Sequence, residues 1–391
     1  MNKLRRAVFT ISTNQKLPWV QLLFETLQKH DHNCDIILGL VDRQSDCPYP
    51  DNCTILPVED IGLPNQTHFL FRYNPFNLCT AVKPYYFNHL FEKGYENVIY
   101  LDSDIALFES LDQYFRLLEA EIDFVMTPHF LEPPTQRDQP NEISILQHGT
   151  FNLGFIGIHR STTSRPLVTW WAKMLEFNCV TMIEQGAFAD QKFIDLIPSF
   201  TSRYAIIRDP GANYAYWNMS RRVVTVADGK FLVNDKPLIF CHFSGFDLKQ
   251  PTELSAYGSK IRPQNDAGLN ALVAWYAENL TRLGAHTYVA PSYGFGQFAS
   301  GTCIPEKLRE IFRQSINDSS LNPFEDSLLE NGSRTLEPQS PPVVGQTLSA
   351  YDMREHLLFA LKELETRTHH AQSLLTENEA LKSKLAGYEQ Q

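Results

Sequence analysis

Apolar residues in this chain follow two rhythms. Unbroken runs at 7–11, 36–41 and 98–101 show no alternation, the pattern of strands buried on both faces of a parallel sheet. Between the first two runs, Leu17, Val20, Phe24 and Leu27 recur at helical spacing. Residues 7–41 therefore read as a βαβ unit with a right-handed crossover. Residues 43–79, rich in Pro, Asn, Asp and Cys, read as irregular, and a helix over 81–93 stops at Gly94. Strands are expected at 123–127 and 151–158, with the polar, Pro-rich stretch 128–148 between them as a mobile loop. Helices are expected at 164–177 and 187–197, then a short strand at 205–207 and a loop over 209–222. A hairpin over 223–233, a last strand at 238–243 and a helix at 264–284 follow.

Beyond 314 the pattern changes. Residues 314–348 shift to Ser, Asn, Pro and Glu and read as a linker. From 349 to 391 a heptad emerges. Position a carries Ala350, Leu357, Leu364, Ala371, Asn378 and Leu385, and position d carries Met353, Ala360, Arg367, Leu374, Leu381 and Tyr388. The expected plan is an α/β domain over 1–313, a linker over 314–348 and a coiled-coil helix over 349–391. The coiled coil would make the chain a homo-oligomer; a solitary solvated helix is the alternative.

The run 98–101 leads straight into Asp102-Ser103-Asp104, and apolar residues resume at Ile105. A central strand has no cheap way to bury two carboxylates, so the pair belongs where the strand ends. That carboxyl edge is where open α/β sheets bind ligands. Two carboxylates one residue apart can share a hard divalent cation, or they can merely cap a turn. Composition narrows the partners. A formal charge of −11 over 391 residues, with no basic cluster, argues against nucleic acid. The seven cysteines form no Cys-x-x-Cys pair and no zinc spacing, which suits a reducing, cytoplasmic compartment. The basic start Met1–Arg6 precedes an apolar run too short for a signal peptide, and no run approaches a membrane span.

Four motifs then appear in order: 98–107 with Asp102 and Asp104; Phe151-Asn152-Leu153-Gly154; Ala189-Asp190-Gln191; and His242-Phe243-Ser244-Gly245. Together they resemble the GT-A glycosyltransferases, closest to the family 8 type (glycogenin-like and lipopolysaccharide galactosyltransferase-like enzymes), over about residues 7–250. The resemblance implies a Rossmann-like mixed sheet flanked by helices and a retaining transfer from a nucleotide-diphospho-sugar, UDP-linked, to a glycan or lipid-linked acceptor. It implies Mn²⁺ or Mg²⁺ on Asp102, Asp104 and His242; the imidazole favours Mn²⁺. Asp190 and Gln191 would stand near the reacting carbon. Thr10, Ser12, Lys83, Asp102, Ser103, Asp104, Asn152, Gly154, Gly245 and Lys249 would bind the donor. Lys249 departs from the family spacing, since Leu248 occupies the usual lysine place. Tyr216, Trp217 and Asn218 would form an acceptor platform, because sugar faces stack on aromatics. The family further suggests polysaccharide assembly at the inner face of a bacterial membrane.

Each residue also has a plainer reading. His242 alone reads as a core histidine, Asp190 as a helix-start charge, Lys83 as a solvated side chain, and Asn152 with Gly154 as a bulged strand. Two other functions compete. A sugar-nucleotide pyrophosphorylase would carry a Gly-rich phosphate loop after the first strand, and residues 11–16 contain no glycine. A non-catalytic glycan-binding or scaffold protein would tolerate a damaged metal site, yet Asp102, Asp104 and His242 are all present.

Overall fold

The computed structural model describes residues 5–31, 33–133, 140–183, 186–258, 267–316, 321–325 and 337–338. The expected coiled coil at 349–391 and most of the expected linker lie outside the described residues. The described residues divide into two compact units: those up to Gln66 with Pro75–Phe295, and Thr67–Asn74 with those from Gly296 on.

The first unit is built on β1 (Arg6–Ser12), α1 (Leu17–His30), β2 (Asp35–Leu40) and β3 (Thr54–Pro57). After α2 (Gln66–Arg72) come α3 (Pro75–Ala81), α4 (Lys83–Glu92), β4 (Asn97–Leu101) and β5 (Ile105–Leu107). Then follow α5 (Asp112–Glu119), β6 (Phe124–Pro128), α6 (Glu142–His148), β7 (Phe151–His159) and α7 (Ser164–Asn178). Seven strands form one mixed sheet in the order Tyr204–Ile206, β6, β7, β4, β1, β2, β3. β7 runs antiparallel to both neighbours, and every other pairing is parallel. All five residues of β4 are buried, which explains its unbroken apolar run. Val8, Leu23, Phe24, Leu38, Ile99, Leu101, Phe115 and Phe155 share one core cluster, so α1 and α5 cover the sheet with their apolar faces.

Several elements differ from the sequence pattern. Residues 43–79 contain β3, α2 and most of α3, each too short to show a period. The stretch 128–148 ends in α6, capped by Asn141, whose Oδ1 accepts from the Ser144 N–H at 3.0 Å. Residues 134–139 lie outside the described residues. No continuous helix runs over 187–197: the strand Ala187–Phe188 is followed by two four-residue helices, Gln191–Ile194 and Ile197–Phe200. The interruption is Ala189, held at φ +45°, a region alanine rarely occupies.

In the second unit, Phe71 packs with Phe298, Ile304, Leu308, Ile311 and Phe312, and Phe324 lies against this cluster. The Arg309 guanidinium donates to the carbonyls of Phe71 (2.7 Å) and Tyr73 (3.0 Å) at the end of α2. Residues 321–325, read from composition as linker, therefore contribute a packed phenylalanine. Among the described residues none of the seven cysteines forms a disulfide, and no helix is long and apolar enough to cross a membrane.

Candidate metal centre

β4 delivers its last residues to the carboxyl edge of the sheet. There the Asp102 N–H donates to Gly154 O of β7 (2.8 Å), tying the turn to the neighbouring strand. The chain then doubles back as β5, which pairs antiparallel with the strand Phe240–His242, setting His242 opposite Ile105. The Phe243 N–H donates to Asp104 O (2.9 Å), and the His242 N–H to Tyr214 O (2.8 Å). Three side chains from two distant parts of the sequence thus converge.

His242 Nε2 lies 3.1 Å from Asp104 Oδ1 and 3.5 Å from Asp102 Oδ2. The three ligand-type atoms all fall within 4.8 Å of one another. His242 is 4% exposed while Asp102 and Asp104 are 33% and 31% exposed, so the imidazole forms the floor and the carboxylates face outward. Burial would raise the Asp104 carboxyl, but the adjoining His242 outweighs it and holds it below the ordinary range. Burial pulls the His242 imidazole down, and the charges of Asp104 and Asp102 push it above its usual value. Two oxygens and one nitrogen around an accessible space are a donor set that fits a divalent cation with open positions for a ligand's oxygens.

A second charged group stands behind the first. Lys83, at the start of α4, is fully enclosed; its Nζ pairs with Asp190 Oδ2 at 2.5 Å and donates to Leu153 O at 2.9 Å. The same ammonium sits 4.2 Å over the Tyr100 ring, and the Tyr100 hydroxyl donates to Asp102 Oδ1 at 2.5 Å. Burial raises the Asp190 carboxyl above its ordinary range, and Lys83 offsets only part of that. Asp190 is aimed by two features: the left-handed Ala189, and the Trp171 indole N–H, which donates to Asp190 O at 3.1 Å. Gln191 bridges α6 and β7, donating to His148 O (2.7 Å) and accepting from the Leu153 N–H (3.4 Å).

The remaining residues proposed from sequence fall into two groups. Ser103 lies partly exposed between the two aspartates. Asn152 reaches His242, its Oδ1 lying 3.1 Å from Nδ1. Gly154 is a glycine for a reason the sequence did not reveal: a Cβ there would stand 2.3 Å from His242 Cε1, so the ring rests on its bare backbone. Gly245, at φ +72°, turns the chain just past His242. Trp217 packs edge-on to His242 at 5.2 Å, and Tyr216 lies between Trp217 (5.1 Å) and Tyr257 (6.0 Å), forming an aromatic wall beside the cluster. By contrast, the Asn218 amide is used on its own loop, donating to Asn213 O and accepting from the Ala215 N–H. Thr10 is fully buried in β1, and the Ser12 hydroxyl donates to Thr13 O (3.1 Å). Lys249 is exposed on a turn and, among the described residues, makes no hydrogen bond or ion pair with the cluster.

Residues 50–223 match the family described as nucleotide-diphospho-sugar transferase. The chain resembles these transferases. It is 27% identical over 209 residues to YfnD and 25% identical over 181 residues to YfnF, both uncharacterized proteins of Bacillus subtilis (strain 168). These matches cover 52% and 45% of this chain, and 64% and 59% of YfnD and YfnF respectively, so the chain spans less than two-thirds of either relative. Among solved structures, the galactosyltransferase LgtC is similar at a TM-score of 0.40 and 12% identity, covering 73% of this chain and 98% of its own. The glycosyltransferase GlyE of Streptococcus pneumoniae TIGR4 reaches a TM-score of 0.39 at 14% identity, covering 76% of this chain and 67% of its own.

Three residues that matter here carried no signal in the sequence: Tyr100, His129 and Asn213. Tyr100 read as one more apolar strand position, and the other two stand in stretches without a period.

Proposed function

We propose that this protein transfers a sugar from a nucleotide-diphospho-sugar, UDP-linked, to a glycan or lipid-linked acceptor, with retention at the anomeric carbon. The observation that carries the reading is the convergence of Asp102, Asp104 and His242 on accessible space at the carboxyl edge of the sheet. The match over 50–223 supplies the donor class. Asp102, Asp104 and His242 would hold Mn²⁺, or Mg²⁺, which when bound offsets the charge developing on the departing diphosphate. Tyr100 steers Asp102 through its hydroxyl, leaving Oδ2 turned toward His242. Tyr216 and Tyr257 offer ring faces to an acceptor sugar.

Retention needs either a nucleophile or attack from the face the diphosphate leaves. Asp190 is enclosed and held by Lys83, which suits an electrostatic and positioning role better than nucleophilic attack. The front-face route then takes the acceptor proton on the leaving diphosphate, and Gln191 helps shape the ground beside it.

The test is a screen of nucleotide-sugar hydrolysis with and without Mn²⁺, before any acceptor is known. Release of UDP that stops on chelation is the expected result. Hydrolysis indifferent to chelation removes the metal from the reading. Turnover confined to another nucleotide corrects the donor, and silence with every nucleotide-sugar in both turnover and binding overturns the proposal.

A further inference from the structure

Trp217 belongs to two neighbourhoods. Its ring packs edge-on to His242 at 5.2 Å and to His129 at 5.3 Å. It also lines a cavity of about 50 Å³, whose other walls include Phe130, Leu131, Pro210 and Arg222. One water needs about 10–15 Å³ of such space, so the cavity has room for a group the size of a carboxylate or phosphate, not for a hexose ring.

Two donors on these walls are left over. Arg222 is 4% exposed, and among the described residues its hydrogen bonds run through Nη1 alone, to Pro210 O (3.1 Å) and Ala212 O (2.7 Å). Among those residues no carboxylate forms an ion pair with it, and Asp209 acts on its charge only through space. Burial pulls the guanidinium down to about 10, so it is still a cation at neutral pH. Trp217 is 5% exposed, and its indole N–H, which can only donate, meets no acceptor among the described residues. The one acid on the cavity wall, Glu132, faces Arg221 at 3.8 Å. The cavity thus keeps a positive charge in excess, in a chain whose formal charge is −11. A tie between two carbonyls needs donors but no charge, and a buried cation with no carboxylate beside it is costly. An anion from outside would answer both leftover donors.

We infer that this cavity receives a carboxylate or phosphate carried by the acceptor, with the Arg222 guanidinium and the Trp217 indole N–H as its donors. That the acceptor is the carrier rests on the function proposed above; the anion site itself stands without it. The acceptor fits because one ring borders both the metal cluster and the cavity. Tyr216, edge-on to that ring at 5.1 Å, offers a face for the sugar that bears the charge.

The test is binding to the full chain without metal or donor. It is read by NMR at the indole N–H of Trp217 in ¹⁵N-tryptophan-labelled protein, the signal being identified by its loss in Trp217→Phe. The probes are glucuronate for the carboxylate, glucose-6-phosphate for the phosphate and glucose as the neutral control, all at matched ionic strength. At least one acid should move the signal at millimolar concentration while glucose does not, and the tighter acid names the group. Arg222→Gln should weaken that binding about 10-fold or more. Trp217→Phe, followed by calorimetry, should weaken it several-fold, since the ring stays and only the donor is lost. Glucose moving the signal as far as the acids, or no probe moving it up to tens of millimolar, overturns the inference, even where Arg222→Gln does not fold. So does undiminished acid binding in either variant. Acid binding by a protein that releases UDP from no nucleotide-sugar upholds the anion site and removes the transfer; UDP release without acid binding does the reverse.

Discussion

Two charged clusters lie side by side in this fold, and they are built on opposite plans. The Lys83–Asp190 pair is closed: its side chains are 2% and 5% exposed, and one positive charge answers one negative charge. The Asp102–Asp104–His242 cluster is open, with its carboxylates about a third exposed and two acids sharing a single imidazole. A closed pair has no use for an added ion, and its burial raises the cost of breaking it. An open acid-rich cluster gains from a cation, and exposure lets the cation and its further ligands arrive. Tyr100 joins the two, taking the ammonium on its ring face and giving its hydroxyl to Asp102. The difference teaches that neighbouring charges need not share a job: one group receives, and the other holds still.

The sharpest way to break this contrast is to remove charge from each side. Asp104→Asn should abolish Mn²⁺-dependent turnover, a loss on the order of 10³-fold or more. Thermal stability should fall only modestly, since Asp102 still faces the His242 imidazole. Retained turnover in the nucleotide-sugar assay would make the open cluster a surface feature.

The same operation on the closed pair should read out in stability. Lys83→Met leaves Asp190 buried without its partner, costing about 3 kcal/mol, the low end for a broken buried pair because Asp190 can take up a proton. Removing both charges with Lys83→Met and Asp190→Leu should recover most of that loss. Denaturant titration decides, and a cost below about 0.5 kcal/mol for the single variant would mean the pair behaves like a surface salt bridge.

The shell behind the open cluster can be probed by pH. His129 is buried, and desolvation lowers its imidazole to about 4 from 6.5. Between those values the unfolded chain binds the proton and the folded chain does not, so stability falls as pH drops below 6.5. From pH 7 to pH 5 the loss from this group is about 2 kcal/mol at about 1.4 kcal/mol per unit. His129→Gln should lose that much less over the same interval, and equal slopes for the two proteins would refute the assignment.

The smallest effect tests the floor of the open cluster. Gly154→Ala places a methyl group where the His242 ring lies, so Mn²⁺ affinity should fall by roughly 10-fold, by analogy with lost outer-shell partners. Calorimetric titration measures it, and an unchanged affinity would show that the ring can move without consequence.

Much of the site was legible along the chain because strand endings are. An unbroken apolar run that meets two carboxylates can only end, so Asp102 and Asp104 placed themselves at an edge. Helix breaking was less legible. The 187–197 stretch has helical composition, and nothing in its pattern marks the positive φ at Ala189 that divides it. Residues 321–325 look like linker by composition, since composition does not register a single packed side chain such as Phe324.

By itself, the sequence determined which segments must be buried and where charge must escape burial, because both follow from local free energies of transfer. It could not determine the antiparallel direction of β7, since the same apolar run satisfies either direction. Nor could it show that Gly154 lies beneath a ring encoded 88 residues later, or that Asn152 and Asn213 meet on one oxygen. Those were decided by the tertiary structure alone: the contacts are long-range, and each depends on a pairing register that no local pattern contains.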